Sequence, residues 1–410
     1  MLANRRTFLQ WGLGLAMPWH GTAGLFARAS REGRTLVVVQ ARGGFDALSF
    51  LIPFADPTYC ALRPQLALAE ASTLPVRGEP ALGWHPRLGP LRDLHERGLV
   101  AAVRQVGHPH ADLSHFESEA KWHTADPVGG ILHTGWLART VQALGKDIDP
   151  VPAITVDAEP SQSFAGLDVP AFLTPDRLRV EATPQQDAAL AELTRAALAA
   201  EHPVLRATAR RYEHALRVAS ELADAGAEYR PRAEYPAREL GARLQTIARL
   251  IVSGRRTAVY HTTMPGFDLH SHQAEHGRPT VGLLADQLGE LATGLRAFVD
   301  DLTAHDHMQR VLILVHSEFG RSVGENCRLG TEHGDAGVAF LIGPAVHPGM
   351  HGPAFDLQAF GPDSALRGVP FGADSIDYRS LYATILERWF GLDSERVLRA
   401  RFPLLDAVRA

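Results

Sequence analysis

Six short apolar runs constrain this chain more than any other feature. Residues 35–41 (Thr-Leu-Val-Val-Val-Gln-Ala), 99–106, 153–156, 257–262, 311–315 and 338–342 are rich in β-branched and aliphatic residues. Each runs into glycine, proline or polar residues. A near-continuous apolar run suits a strand buried on both faces. Stretches of helical composition lie between them. These are 185–225, divided near His202-Pro203, then 237–252, 279–304 and 377–390, with Asp377 as the N-cap of the last. Strands alternating with helices predict an α/β fold with a large central, mostly parallel sheet and helices on both faces. No repeat or low-complexity linker interrupts residues 30–410, which read as one domain. The Ala/Leu/Arg/Glu-rich block near 185–253 reads as a helical insertion or cap on it.

The composition is that of a globular protein, 45% hydrophobic and 21% charged, which excludes collagen-like, coiled-coil and disordered chains. A net charge of −5 gives no reason to expect a nucleic-acid partner. Cys60 and Cys327 allow one disulfide at most and no zinc-finger spacing. The 20 histidines raise a question about metal ligation, which their positions must answer.

The first residues read as an address. Arg5-Arg6, Thr7, Phe8-Leu9 and a weakly apolar run to Phe26 resemble a twin-arginine export signal. Ala27-Arg28-Ala29 fits a cleavage site, so residues 1–29 are expected to be removed. Gly12, Gly14, Pro18 and His20 interrupt the run, and a membrane span needs about 20 apolar residues. The expected partner is the twin-arginine translocation machinery. The expected location is periplasmic or secreted, with no transmembrane segment after cleavage.

Polar, metal-competent residues gather where the apolar runs end. Open α/β sheets bind ligands at the carboxyl ends of their strands, so these places can converge. Arg42-Gly43-Gly44-Phe45-Asp46 puts a carboxylate beyond a tight glycine turn, as a site carboxylate or as an N-cap. In Ser114-His115-Phe116-Glu117, Ser114 and Glu117 have capping-box spacing. A serine at a helix N-terminus is also placed for attack on an anionic phosphorus or sulfur centre. In Asp268-Leu269-His270-Ser271-His272, a carboxylate and an imidazole four residues apart can share an ion, with His270 in reserve. The densest group is His316-Ser317-Glu318-Phe319-Gly320-Arg321, followed by Gly330-Thr331-Glu332-His333-Gly334. In strand geometry His316 shares a face with Glu318.

These motifs, in this order, resemble the exported bacterial proteins catalogued as domain of unknown function 1501. That family is similar to the alkaline phosphatase and sulfatase superfamily, whose sheet carries two metal sites about a Ser, Thr or formylglycine nucleophile. The resemblance implies a first metal site of Asp268, His272 and His333. It implies carboxylates of a second site at Asp46 and Glu318, and a nucleophile at Ser114. Phe319 stands where the superfamily has a ligating histidine; His115 or His316 could supply the missing ligand. The first site would suit zinc, and the oxygen-rich second would suit Mg, Mn or Ca. Arg42 or Arg321 could hold the anionic oxygens of a small ester substrate. Two function classes follow. One is an exported metal-dependent hydrolase of phosphate or sulfate esters. The other is a non-catalytic exported binding or assembly protein that keeps the fold and one structural metal.

Overall fold

The computed structural model describes residues 33–109, 111, 113–126, 133–145, 151–167, 171–173, 184–210, 213 and 226–409. The export signal and its cleavage site lie outside the described residues. Among the described residues, nine strands form the central sheet: β1 (Thr35–Ala41), β2 (Val100–Gly107), β3 (Ala153–Val156), β4 (Ala171–Leu173), β5 (Val259–Met264), β6 (Val311–His316), β7 (Gly337–Ile342), β8 (Gly349–His351) and β9 (Ile376–Asp377). Their order is β8-β2-β7-β6-β1-β5-β3-β4, with β9 also pairing β2. Every pairing is parallel except those of β7, which runs against both β2 and β6.

The apolar runs become strands because each face of the sheet is covered. In β1, Val37 and Val39 pack in one core with helices α1 (Gly89–Glu96), α5 (Glu239–Val252) and α6 (Leu283–Ala304). Leu36 and Val38 join the opposite core, with residues of α2 (His115–Thr124), α3 (Trp136–Leu144) and α7 (Tyr378–Thr384). All seven β1 residues are buried. Together these residues build the α/β fold with helices on both faces. Asp377 caps α7, accepting a bond from the Arg379 amide at 2.9 Å.

The 185–253 block divides in two. Helix α4 (Pro184–Ala199) carries an exposed Leu193, as an appended helix would. Helix α5 belongs instead to the main core, where Leu240, Leu244, Ile247 and Ile251 are all but fully buried. Among the described residues, no helix is long and apolar enough to cross a membrane. Cys60 and Cys327 are free and exposed.

The topology fixes where the chemistry can lie. Strands β1, β5 and β6 are parallel neighbours, so the residues after each emerge at one edge. Asp46 follows β1, Asp268 follows β5 and Glu318 follows β6. A short antiparallel pairing of Arg321 with His333 returns the chain to that edge before β7 begins. Gly43 makes the approach possible: its φ is 120°, and a Cβ there would sit 2.1 Å from the Asp268 amide.

Candidate metal centre

Among the described residues, His115, Asp268 and His333 each offer a ligand atom, all within 4.8 Å of one another. His115 is the first residue of α2. Its Nδ1 lies 2.7 Å from Glu318 Oε1. A carboxylate only accepts, so Nδ1 carries a proton, and in the neutral ring Nε2 is the nitrogen that can ligate. That Nε2 is buried, makes no hydrogen bond and lies 3.3 Å from Asp268 Oδ2. His333 repeats the arrangement. Its Nδ1 donates to the Leu113 carbonyl at 2.8 Å, and its Nε2 lies 3.2 Å from Asp268 Oδ1. Leu113 holds a φ of 60°, a left-handed conformation costly for leucine.

His270 makes a third such imidazole. Its Nδ1 meets Glu332 Oε2 at 2.7 Å, and its Nε2 lies 3.0 Å from both Asp268 Oδ1 and His333 Nε2. Three rings are thus tied down through Nδ1 and turn Nε2 toward one carboxylate. Anchoring the far nitrogen to a carboxylate or carbonyl is how metal-ligating histidines are oriented. A nitrogen and oxygen donor set of this kind fits zinc or another borderline divalent ion.

The charges agree with the geometry. Partial burial opposes ionisation of Asp268, but Arg321 at 2.8 Å and the nearby imidazoles hold its carboxyl below the usual range. The bond to Glu318 raises the pKa of His115, whereas partial burial lowers that of His333. Phe319 is buried behind the group, its ring 4.9 Å from His115 and 4.7 Å from His333. It forms an apolar wall beside these two imidazoles.

Several expected roles change. His272 is exposed, at a φ of 54°, and stands outside the group. The chain after β5 runs as an irregular loop, so four-residue spacing does not put Asp268 and His272 on one helical face. His115, and not His272, stands beside Asp268 and His333. Asp46 is also elsewhere. Arg63 grips its two oxygens at 2.8 Å each, while Ser49 Oγ at 2.6 Å and Gln273 Nε2 at 2.7 Å donate to Oδ2. Glu318 is similarly engaged, accepting from the Gly43 amide at 2.8 Å, His115 Nδ1 and Ser317 Oγ at 2.8 Å. Both carboxylates are thus hydrogen-bonded within the protein, and neither belongs to the group of His115, Asp268 and His333. His316 is buried and stacks on Trp122, ring centroids 4.4 Å apart, away from the group.

The two arginines also have fixed partners. Arg42 is half-exposed and pairs with Glu119 at 2.6 Å. Arg321 is buried and spends its donors on Asp268, the Gly43 carbonyl and Thr331. It braces the candidate ligand Asp268. Ser114 is the N-cap residue of α2, adjacent to His115, but its hydroxyl makes no capping bond. The capping box expected with Glu117 therefore does not form from the Ser114 side. Sequence reasoning missed Arg63 entirely, because no local pattern links it to Asp46.

No curated protein matches the chain in sequence. Among solved structures, it is similar to the phosphonate monoester hydrolase of Agrobacterium radiobacter, at 10% identity and a TM-score of 0.40, covering 88% of this chain and 74% of that one. The lipoteichoic acid synthase LtaP from Listeria monocytogenes is similar at 10% identity and a TM-score of 0.34, covering 78% and 68%. The phosphonate monoester hydrolase SpPMH from Silicibacter pomeroyi is similar at 12% identity and a TM-score of 0.38, covering 88% and 77%. The sequence family described as "Protein of unknown function (DUF1501)" matches residues 101–402, and the chain belongs to that family.

Proposed function

We propose that this protein is an exported, metal-dependent hydrolase of phosphate or sulfate esters. The observation that carries the reading is the convergence of His115, His270 and His333 on Asp268, each with Nδ1 held by an acceptor. His115, Asp268 and His333 would hold one divalent ion, zinc by donor type, with His270 as an additional ligand. When bound, such an ion supplies Lewis acidity at an ester oxygen. The protein's residues do the rest. Glu318 and Glu332 keep the imidazole protons on Nδ1, and Arg321 holds Asp268 in place. Phe319 keeps water from the rear of the group. Ser114, at the N-terminus of α2, is the candidate nucleophile, where the helix dipole favours an anionic substrate. The reading is built on one ion, because His115, Asp268 and His333 form the group of metal-competent side chains that the described residues bring together.

Two measurements test it. Purified wild type should bind about one equivalent of divalent metal per chain and cleave aryl phosphate, phosphodiester or sulfate esters. Asp268→Asn should lose both metal and turnover while remaining folded. Metal-free wild type with no ester cleavage in zinc, manganese, magnesium or calcium would remove the hydrolase reading. For export through the twin-arginine machinery, replacing Arg5 and Arg6 with lysine should retain the protein in the cytoplasm. Undiminished periplasmic recovery would sink that assignment.

A further inference from the structure

A cavity of about 550 Å³ opens directly beside the metal group and shares His333 with it. Leu113, whose carbonyl anchors His333, forms part of its wall. Phe360, Leu366 and Val369 supply further apolar surface. Leu366 is 50% exposed, and Phe116, the residue after His115, is 87% exposed. Leu113, Phe360, Leu366, Val369 and Pro370 together give the cavity a largely apolar wall, as small-molecule clefts have. The charges lining the cavity narrow the choice of ligand. Asp335 and Asp356 face it against a single cation, Arg367. Two carboxylates disfavour a second anionic group inside, as a nucleotide or a sugar bisphosphate would bring. The volume falls within the range of small-molecule sites, far more than the ester anion needs.

From this we infer that the cavity receives the organic half of the substrate, an uncharged hydrophobic alcohol, aryl or long-chain alkyl, esterified to the anion held at His115, Asp268 and His333. The inference rests on the hydrolase reading. Hydrolysis breaks the bond between phosphorus or sulfur and the alcohol oxygen. The oxygen of water ends on the released anion, and a proton from water ends on the departing oxygen, giving the free alcohol. The alcohol leaves from the apolar side and the inorganic anion from the polar side.

The test uses phosphate and sulfate monoesters of straight-chain alcohols from ethyl to octyl, with 1-naphthyl esters as the aryl arm and glucose 6-phosphate and AMP as polar controls. KM should fall about three- to fourfold per added methylene until the cavity is full, the change that burial of one methylene supplies. Leu366→Asp and Phe360→Ala should flatten that series while leaving the metal content at its wild-type value. Independence of KM from chain length, or preference for AMP or the sugar phosphate, would overturn the inference. A direct binding arm separates it from the hydrolase reading. If no ester is cleaved but 1-naphthyl phosphate binds wild type in calorimetry and Leu366→Asp at least tenfold more weakly, hydrolysis fails and the cavity assignment stands. If 1-naphthyl phosphate binds both proteins equally, or neither, the cavity assignment falls.

Discussion

Asp46 and Asp268 follow neighbouring parallel strands and emerge at the same sheet edge, yet their surroundings are opposite. Asp46 is buried and saturated by a guanidinium, a hydroxyl and an amide. The side chain of Asp268 is 44% exposed and is faced by imidazoles whose far nitrogens are already committed. One carboxylate has its counter-ion built into the chain. The other shares one oxygen with Arg321 at 2.8 Å and turns the rest of its partly exposed surface to imidazole nitrogens that an added cation could join. Position at a strand end therefore does not make a carboxylate a ligand; the fixed donors around it decide.

The sharpest way to break this comparison is to remove the built-in cation. Arg63→Ala strands Asp46 in the core and should cost about 3–5 kcal/mol, read from denaturant unfolding. Metal content should stay near one equivalent. A gain in metal with no loss of stability would mean that Asp46 is a ligand after all.

On the other side, Glu318→Gln keeps the shape but weakens the anchor of His115. Metal affinity should fall about 10- to 100-fold, measured by competition with a chromogenic chelator. Unchanged affinity would leave Glu318 with no orienting role.

Acid should distinguish the two carboxylates next. Burial works against ionisation of Asp46, but Arg63 outweighs it and holds the pKa below 3.8. The unfolded chain then takes up a proton before the folded one does. The stabilisation from this pair is thus fully present above about pH 3.8 and is lost as pH falls through the lower folded value. The stability gap between wild type and Asp46→Asn should be level above that pH and shrink below it. A gap independent of pH would show that the charge of Asp46 contributes nothing.

The smallest effect belongs to His272→Ala. It should leave metal affinity unchanged and shift stability within about 0.5 kcal/mol, as surface substitutions do. A large loss of metal would restore His272 to the centre.

The sheet was legible because β1, β5, β6 and β7 are buried on both faces, which forces near-continuous apolar runs. Helix α5 was harder to place. The spacing of Leu240, Leu244, Ile247 and Ile251 marks an apolar face without saying whether it covers a sheet or another helix. Asp268, His333 and His115, which the fold brings together, could be singled out because each sits beside a strand end or helix start. His272 misled because its spacing from Asp268 suits a helical turn, whereas that segment is irregular and His272 itself has a φ of 54°. Arg63 left no trace, because its bond to Asp46 spans 17 residues and exists only through tertiary packing.

The spread of the centre along the chain has a consequence for its lifetime. His115 and the Glu318 that orients it are separated by 203 residues, and Asp268 and His333 by 65. No local peptide can assemble these groups, so a cation would have to enter a finished sheet and could not nucleate it. Its escape would need no opening of the sheet, because the Asp268 side chain is 44% exposed and the donors stand beyond the strand ends. Metal release should therefore outpace amide exchange in β1, β5 and β6, the ion leaving a folded sheet behind it.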